Sequence, residues 1–182
     1  MKITYHTHRV IRKLIQLFRE RAFKEAISCP HSNFTLVGNV SLINRNVRLG
    51  KKVTIYPGVQ FFGDGMIEIG DNVGIGNNTI IYSSLNGGVK IGDHVWIGAN
   101  SYITDEDHST KAGELIRNQA NSVAPVSIGN DVWLATDVTV LKGSVIFDGA
   151  VIGAKSLVKG KIPANAIAVG IPAKVIKYRS ND

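Results

Sequence analysis

His108 is the residue of this sequence whose type and surroundings are best suited to acid–base chemistry. It lies in the stretch ITDEDHST, residues 103–110, directly after the three carboxylates Asp105, Glu106 and Asp107. An imidazole titrates near neutrality and can take a proton from a hydroxyl group, and a carboxylate on one ring nitrogen raises the basicity of the other. His108 is therefore the predicted catalytic base, with Asp105 or Asp107 as the residue that orients it. Two alternatives remain: a backbone carbonyl orients the ring in place of a carboxylate, or His108 is a surface histidine without a catalytic role.

The sequence on both sides of this stretch repeats with a period of six. A period of six is typical of a β-solenoid, in which short strands and turns alternate and successive coils stack over one continuous aliphatic core. The pattern therefore predicts a single, mainly β domain. The large apolar residues on the six-residue grid are Val37, Ile43, Leu49, Ile55, Phe61, Ile69, Ile75, Ile81, Ile91, Ile97, Ile103, Ile128, Leu134, Val140, Ile146, Ile152 and Val158.

The repeat has one long interruption, over residues 104–125. This stretch is polar, and the grid resumes in phase at Ile128. Loops of such length in compact domains are usually functional or disordered. We therefore expect a protruding loop with His108 at its stem, where a rigid coil can fix the position of the imidazole.

The net charge of +7 is concentrated at the N-terminus. Residues 1–28 hold seven basic and two acidic residues, and the remainder holds fourteen basic and twelve acidic ones. This distribution argues against a nucleic-acid-binding body. The N-terminal segment is predicted to be helical and to end at Cys29-Pro30, because a residue before proline disfavours the helical region. Its apolar residues recur at three- and four-residue spacing: Ile11, Leu14, Ile15, Phe18, Ala22 and Ala26.

Two interpretations of this helix remain open. It packs on the body or caps its open end, or it contacts an anionic membrane through residues 1–28. No apolar run reaches membrane-spanning length, and the N-terminus lacks the features of a signal peptide. Cys29 is the single cysteine, so an intrachain disulfide is excluded. We expect a soluble cytoplasmic protein, with the inner face of the membrane as a further location.

The hexapeptides IGNDVW, LATDVT and IGAKSL resemble the repeat of the left-handed parallel β-helix acyltransferases. The resemblance covers roughly residues 34–179. It implies that three hexapeptides form one triangular coil, which gives about six coils here. The same family includes carbonic anhydrases, which hold zinc with three histidines. The repeats of this chain contain only His94 and His108, so no metal site is predicted.

The interruption itself resembles maltose- and galactoside-acetyltransferase-like enzymes, since IGANSYITDEDH, a loop and VSIGNDVW follow one another. This resemblance implies that His108 is the catalytic base for acyl transfer from acetyl-CoA to a hydroxyl. Trp133 and Asn78 would bind the acceptor; simple packing is the alternative for Trp133, and an asparagine ladder or a turn for Asn78. The residues implied in binding acetyl-CoA are Ala135, Gly153, Ala154, Lys159, Lys161, Lys174 and Lys177.

The predicted organisation has three parts. Residues 1–30 form the basic amphipathic helix, residues 31–172 the left-handed β-helix with the protruding loop 104–125, and residues 173–182 a short C-terminal helix or tail. The resemblance implies a homotrimer with active sites between subunits. The predicted function is an acetyl-CoA-dependent O-acetyltransferase for a sugar hydroxyl of a capsule, exopolysaccharide or lipopolysaccharide. The alternatives are an N-acyltransferase for a nucleotide-linked amino sugar, an antibiotic acetyltransferase and a β-solenoid scaffold.

Overall fold

The computed structural model describes residues 2–27 and 33–180. Cys29, Pro30 and His31 lie outside the described residues. One helix, α1 (Lys2–Ala26), precedes a long succession of short strands. The strands are β1 (Phe34–Leu36), β2 (Ser41–Leu42), β3 (Val47–Leu49), β4 (Val53–Ile55), β5 (Gln60–Gly63), β6 (Ile67–Ile69), β7 (Gly74–Ile75), β8 (Ile80–Ser83), β9 (Val89–Ile91), β10 (Trp96–Ile97), β11 (Tyr102–Thr104), β12 (Glu106–Asp107), β13 (Ser122–Val123), β14 (Val126–Ile128), β15 (Trp133–Leu134), β16 (Thr139–Val140), β17 (Val145–Ile146), β18 (Val151–Ile152), β19 (Leu157–Val158), β20 (Lys161–Ile162), β21 (Ala166–Val169) and β22 (Lys174–Tyr178).

Apart from the β12–β13 hairpin, the strands build three sheets that form the faces of a solenoid, and all neighbours in them are parallel except β21 and β22. Face A has the order β1-β4-β7-β10-β15-β18-β21-β22, face B runs from β2 through β5, β8, β11 and β16 to β19, and face C from β3 through β6, β9, β14 and β17 to β20. Three strands, one per face, make a coil. Six complete coils are followed by the first strand of a seventh. The predicted hexapeptide-repeat β-helix is therefore confirmed.

We name the corners of the solenoid by the faces that they join. The A–B corner contains the turns from a face-A strand to the next face-B strand, and the B–C corner contains the turns from face B to face C. Neighbouring coils are about 4.8 Å apart, as parallel strands require.

The core is a stack of equivalent side chains, which explains the period of six. On face A the residues Ile55, Ile75, Ile97, Leu134 and Ile152 are successive partners in the strand register, and all five are buried. Each side chain is covered by the same position of the coil before and after it. The sequence must therefore keep a large aliphatic residue at that position in every coil.

The first coil is offset by one residue from the predicted grid. Val37 and Ile43 are exposed, whereas Leu36 and Leu42 pair with the buried positions of the second coil. The prediction that Val37 and Ile43 point inward was therefore wrong. The physical reason is a longer corner around Asn44, whose buried amide donates to two backbone carbonyls of the second coil, at 3.2 and 2.8 Å.

Helix α1 covers the N-terminal end of the solenoid with its last turns. Phe23 is 6% exposed and lies edge-on to Phe34, with ring centroids 5.3 Å apart. Ile27 is also buried, and the Glu20 carboxylate accepts a hydrogen bond from the Leu36 N–H at 3.1 Å. The capping interpretation is thus correct for this end of the helix, but the predicted apolar stripe is not the buried face. Phe18 is 74% exposed, and no described helix is long and apolar enough to cross a membrane.

The C-terminal segment is a strand and not the predicted short helix. After a turn at residues 170–173, β22 pairs antiparallel with β21. Its sequence, KVIKY, contains β-branched and aromatic residues that favour strands. The strand covers the edge that β21 would otherwise leave open on face A, and this gives the segment a reason to be extended.

Candidate active site

The loop that carries His108 leaves the solenoid at the B–C corner of the fourth coil. Its stem is a two-stranded antiparallel hairpin of β12 and β13, with Glu106 opposite Val123 and Asp107 opposite Ser122. The tip contains a 3-10 helix, Ile116–Asn118. The Gln119 side chain spans the tip, because its amide bonds the backbone of residues 111 and 114. The loop is therefore a defined structure that rises from the wall and returns to β14.

His108 meets a side chain that the sequence did not single out. Its Nδ1 lies 2.9 Å from Oδ1 of Asn121. The Asn121 Nδ2 donates to Oε1 of Glu106 at 2.5 Å. The Tyr82 hydroxyl donates to the same Oε1 at 3.4 Å. Among the described residues none bonds Nε2 of His108, so this ring nitrogen is the one available as a base.

The alternation of side chains along a strand explains which carboxylate faces the imidazole. Residues two apart point to the same side of a strand, so Glu106 and His108 share a side while Asp105 and Asp107 point away from it. The register of the hairpin continues to place residue 121 opposite residue 108. Asn121 is therefore the cross-strand neighbour of His108. The side chain in contact with the His108 ring is therefore an amide, and the hydrogen bonds and ion pairs of Asp105 and Asp107 go to other groups.

Asp105 is fully buried and joins two segments of the B–C corner. Its carboxylate accepts hydrogen bonds from the Ser83 hydroxyl at 2.9 Å, the Ser84 N–H at 2.9 Å and the Gly88 N–H at 2.6 Å. Gly87 is required here, since a Cβ at that position would lie 2.2 Å from the Asp105 carboxylate. Asp105 therefore fixes the base of the loop to the turn of the third coil.

Asp107 is exposed, and the alternation along β12 turns its side chain away from the imidazole, although the residue still borders the cavity beside His108. Its carboxylate is 3.9 Å from the Lys142 ammonium of the fifth coil. Lys142 also donates to the Ser122 hydroxyl. An ion pair of this length at the surface contributes little to stability. The contact of Asp107 with the fifth coil is therefore weak, and its partner is Lys142 and not the imidazole.

A cavity of about 460 Å³ opens beside the histidine. Burial, and then the Glu106 carboxylate, raise the pKa of the Tyr82 phenol above its ordinary value, so the hydroxyl stays protonated as a donor. The cavity joins polar groups with aromatic surface, as small-molecule sites usually do. Its lining consists of Tyr82, Tyr102, Thr104, Glu106, Asp107, His108, Asn121 and Leu141.

The residues predicted to bind the acceptor lie elsewhere on the same chain. Trp133 is 53% exposed on face A and is the register partner of Trp96, and both line a second cavity of about 580 Å³. Asn78 occupies the A–B corner with a φ of 57°, and its amide donates to Asn100 Oδ1 at 3.3 Å. The ladder predicted as the alternative for Asn78 is present. Neither residue lies on the corner that carries His108.

The residues predicted to bind acetyl-CoA are divided between two regions. Ala135, Gly153 and Ala154 follow face-A strands and lie at the A–B corner. Packing accounts for Gly153, since a Cβ there would lie 2.6 Å from the Val169 side chain.

The four lysines are divided in the same way. Lys159 lies at the B–C corner of the sixth coil, two coils after His108, and Lys161 begins β20 on face C of the same coil. Lys174 and Lys177 lie on β22 at face A. All four are exposed, and no ion pair within the described residues engages them. Such ammonium groups fit the negative charge of phosphates. Within residues 2–27 and 33–180, no three His, Cys, Asp or Glu side chains are grouped as metal ligands.

Comparison with known sequences identifies several acetyltransferases. A family model described as "Hexapeptide repeat of succinyl-transferase" matches residues 66–105. A Mycobacterium tuberculosis protein named as an acetyltransferase is 39% identical over 138 residues, which cover 75% of this chain and 44% of that protein. WbbJ of Escherichia coli, named for lipopolysaccharide biosynthesis and O-acetyl transfer, is 34% identical over 75% of this chain and 74% of its own length. WcaF of Escherichia coli, named for acetyl transfer in colanic acid biosynthesis, is 36% identical over 72% of this chain and 69% of its own length. The chain thus spans less than half of the mycobacterial relative and about three quarters of WbbJ.

Solved structures share the same fold. AntD, an N-acyltransferase from Bacillus cereus that was crystallised with dTDP and coenzyme A, superposes with a TM-score of 0.75 at 20% identity, over 82% of this chain and 83% of AntD. A maltose O-acetyltransferase from Clostridium difficile superposes with a TM-score of 0.54 at 26% identity, over 90% of this chain and 75% of that enzyme.

The buried position of Asp105 predicts a structural effect that Asp107 does not share. In Asp105→Asn an amide NH₂ replaces one carboxylate oxygen and faces a backbone N–H, so that a buried donor loses its acceptor. We expect the free energy of unfolding to fall by about 2 kcal/mol. Asp107→Asn removes an equal charge at the surface and is expected to change it by less than about 0.5 kcal/mol. Urea unfolding of both variants measures the difference, and equal values would refute the anchoring role of Asp105.

Proposed function

The chain belongs to the hexapeptide-repeat acetyltransferases, and from this membership we propose that it transfers an acetyl group from acetyl-CoA to a sugar hydroxyl of a bacterial surface glycan. The observation that carries the proposal is the geometry of His108, whose Nδ1 is held by Asn121 beside an open cavity. The names of WbbJ and WcaF support O-acetylation of a glycan over the N-acylation performed by AntD.

The chemistry required of the protein is modest. Acetyl-CoA, when bound, supplies an activated acyl thioester. A sugar hydroxyl is a poor nucleophile at neutral pH, so a base must take its proton during the attack. His108 accepts this proton at Nε2 and returns it to the departing thiol. The exposed lysines are the residues that would hold the phosphates, and Trp133 offers a flat apolar face to the sugar.

The proposed site requires a second copy of the chain. Trp133, Ala135, Gly153 and Ala154 lie on face A or at the A–B corner, and His108 lies at the B–C corner. These regions are separated by the core of the solenoid within one chain. Face A of one subunit beside the B–C corner of the next would join them, as cyclic symmetry allows. We therefore include a homotrimer in the proposal, with His108 and Trp133 of each site from different subunits.

Replacement of His108 tests the proposed base. His108→Ala should lower kcat for acetyl transfer by at least about a hundredfold, because the hydroxyl then keeps its proton during attack. The measurement is thiol release from acetyl-CoA with a panel of glycan and nucleotide-sugar acceptors. The control is Lys51→Ala, which removes an exposed side chain from the turn between β3 and β4, away from both cavities.

Unchanged thiol release in His108→Ala would exclude the base assignment. Hydroxylamine treatment of the product separates the two enzyme candidates, because an O-acetyl ester is cleaved and an N-acetyl amide is not.

Subunit mixing tests the shared site. His108→Ala and Trp133→Ala should each be inactive alone, and refolding or coexpressing them in equal amounts should restore roughly a quarter of the wild-type activity, because one site in four then combines two intact residues. If the mixed variants form trimers in analytical ultracentrifugation but recover no activity, both residues act within one chain.

The exposed stripe of α1 supports a proposed contact with an anionic membrane at the inner face of the cell envelope. The last turns of the helix are docked, but its preceding apolar side chains remain uncovered, and the flanking Lys13 and Arg19 are exposed. A basic amphipathic helix combines apolar insertion with attraction to anionic headgroups. The uncovered side chains are Val10, Ile11, Leu14, Ile15, Leu17 and Phe18.

Vesicle sedimentation tests this contact. The wild-type protein should sediment with phosphatidylglycerol vesicles more than with phosphatidylcholine vesicles, and added salt should weaken the binding. Leu14→Ser with Phe18→Ser should weaken it by roughly tenfold or more, since two apolar side chains are lost. Leu85→Ser, which removes an exposed leucine from the body, is the control. Equal sedimentation of wild type and double variant would refute the membrane contact.

A further inference from the structure

Three side chains on one side of the hairpin form a chain of hydrogen bonds that ends at His108. Glu106 lies in β12, Asn121 directly precedes β13, and the amide of Asn121 lies between the carboxylate and the imidazole. The amide oxygen lies 2.9 Å from Nδ1 of His108, an ordinary hydrogen-bond length, and the amide nitrogen lies 2.5 Å from the Glu106 carboxylate, closer than an ordinary N–H···O bond. What this chain can do depends on which atom of each group carries a hydrogen.

The carboxylate determines the direction of every bond in the chain. An ionised carboxylate accepts hydrogen bonds and donates none, so Asn121 must turn its NH₂ toward Glu106. The amide oxygen then faces His108, and an oxygen can only accept. Nδ1 of His108 must therefore carry the proton, and Nε2 carries the lone pair. The opposite tautomer would place two acceptors, the amide oxygen and Nδ1, against each other.

Asn121 alone could not make this selection. An amide has a donor end and an acceptor end of nearly the same shape, so a free asparagine can present either one to a histidine. If the asparagine turned its NH₂ toward Nδ1, it would stabilise the tautomer that carries its hydrogen on Nε2. In that tautomer Nε2 has no lone pair with which to accept a proton. The selection therefore comes from the residue on the far side of the amide.

Glu106 is itself held in place. Its backbone pairs with Val123 across the hairpin, and its N–H and carbonyl both bond the Thr104 hydroxyl at 3.2 Å. Tyr82, on the third coil, donates to the carboxylate oxygen that also receives the amide. The Tyr82 hydroxyl and the Asn121 amide thus both donate to this oxygen, as expected for an ionised carboxylate, which can only accept hydrogen bonds.

We propose that Glu106 is a positioning residue that acts through Asn121 to fix His108 in the tautomer with Nδ1 protonated and Nε2 free to accept the hydroxyl proton. This proposal rests on the proposed function, in which His108 is the base. It assigns roles to two residues beyond the predicted Asp105 and Asp107. A carboxylate directly on the histidine usually performs this task, and here an amide relays the same selection.

The decisive experiment moves the carboxylate one place along the chain of hydrogen bonds. Glu106→Gln removes the selection, because a second amide can present either end to Asn121. The double variant Glu106→Gln with Asn121→Asp restores the order of donors and acceptors. In it the new amide at position 106 donates to the new carboxylate at position 121, and that carboxylate accepts from Nδ1–H of His108. Glu114→Gln, an equal change at an exposed position of the same loop, is the control.

The tautomer is measured directly in the full-length protein from the ¹⁵N chemical shifts of the His108 ring. Wild type, the control and the double variant should show Nδ1–H as the main form, whereas Glu106→Gln should show a mixture. The kcat of Glu106→Gln should fall by roughly three- to tenfold with little change in KM for acetyl-CoA, since part of the population carries its hydrogen on the wrong nitrogen. The double variant should recover most of this loss.

An unchanged tautomer in Glu106→Gln, or a double variant no better than the single one, would overturn the positioning role. The ring measurement needs no turnover, so it separates this proposal from the proposed function. If His108→Ala retains full activity while the tautomer still responds to Glu106→Gln, the relay exists but His108 is not the base.

Discussion

The stacking of equivalent side chains from coil to coil is the constraint on which the rest of this structure depends. Each buried aliphatic residue is covered by its counterpart about 4.8 Å away in the neighbouring coils, so extra residues cannot be accommodated along a face. They can only leave at a corner. Both long departures from the period, residues 84–88 and 104–125, lie at the B–C corner of successive coils. The Asp105 carboxylate joins them, so that two departures from the repeat become one rigid platform.

The same constraint creates two exposed ends that must be covered. A solenoid whose first and last coils lack a neighbour exposes apolar surface and unpaired strand edges. At the N-terminal end Phe23 and Ile27 of α1 provide the missing layer, and at the C-terminal end β22 pairs with the free edge of β21. Only the last turns of α1 are needed for this purpose. The apolar side chains from Val10 to Phe18 stay uncovered, and these give the helix a surface for the second contact proposed above.

The sequence predicted the features that repeat and missed those that occur once. Residues with equivalents in several coils, such as Ile75 and Leu134, identified the faces because each position was sampled many times. Asn44 lengthens a single corner, and no period reveals the resulting offset of Leu36 and Leu42. Asn121 was missed for a related reason. Its partnership with His108 follows from the hairpin register, and two short strands in a polar loop give no hydrophobic pattern from which that register could be read. Glu106 was visible beside His108, but choosing it over Asp105 and Asp107 required knowing that the segment is a strand.

His108 lies on a loop whose stem is bonded to the coils on both sides. The stem of the hairpin is attached to the third coil through the Asp105 carboxylate and through the bond from Tyr82 to Glu106. It is attached to the fifth coil through Lys142 and through the Gly143 N–H, which donates to the Ala124 carbonyl at 3.0 Å. A catalytic group must be held to within about half an ångström, and loops rarely provide this alone. Attachment to the coils on both sides ties the stem of the proposed site to the solenoid, while the corner leaves the imidazole exposed beside the cavity.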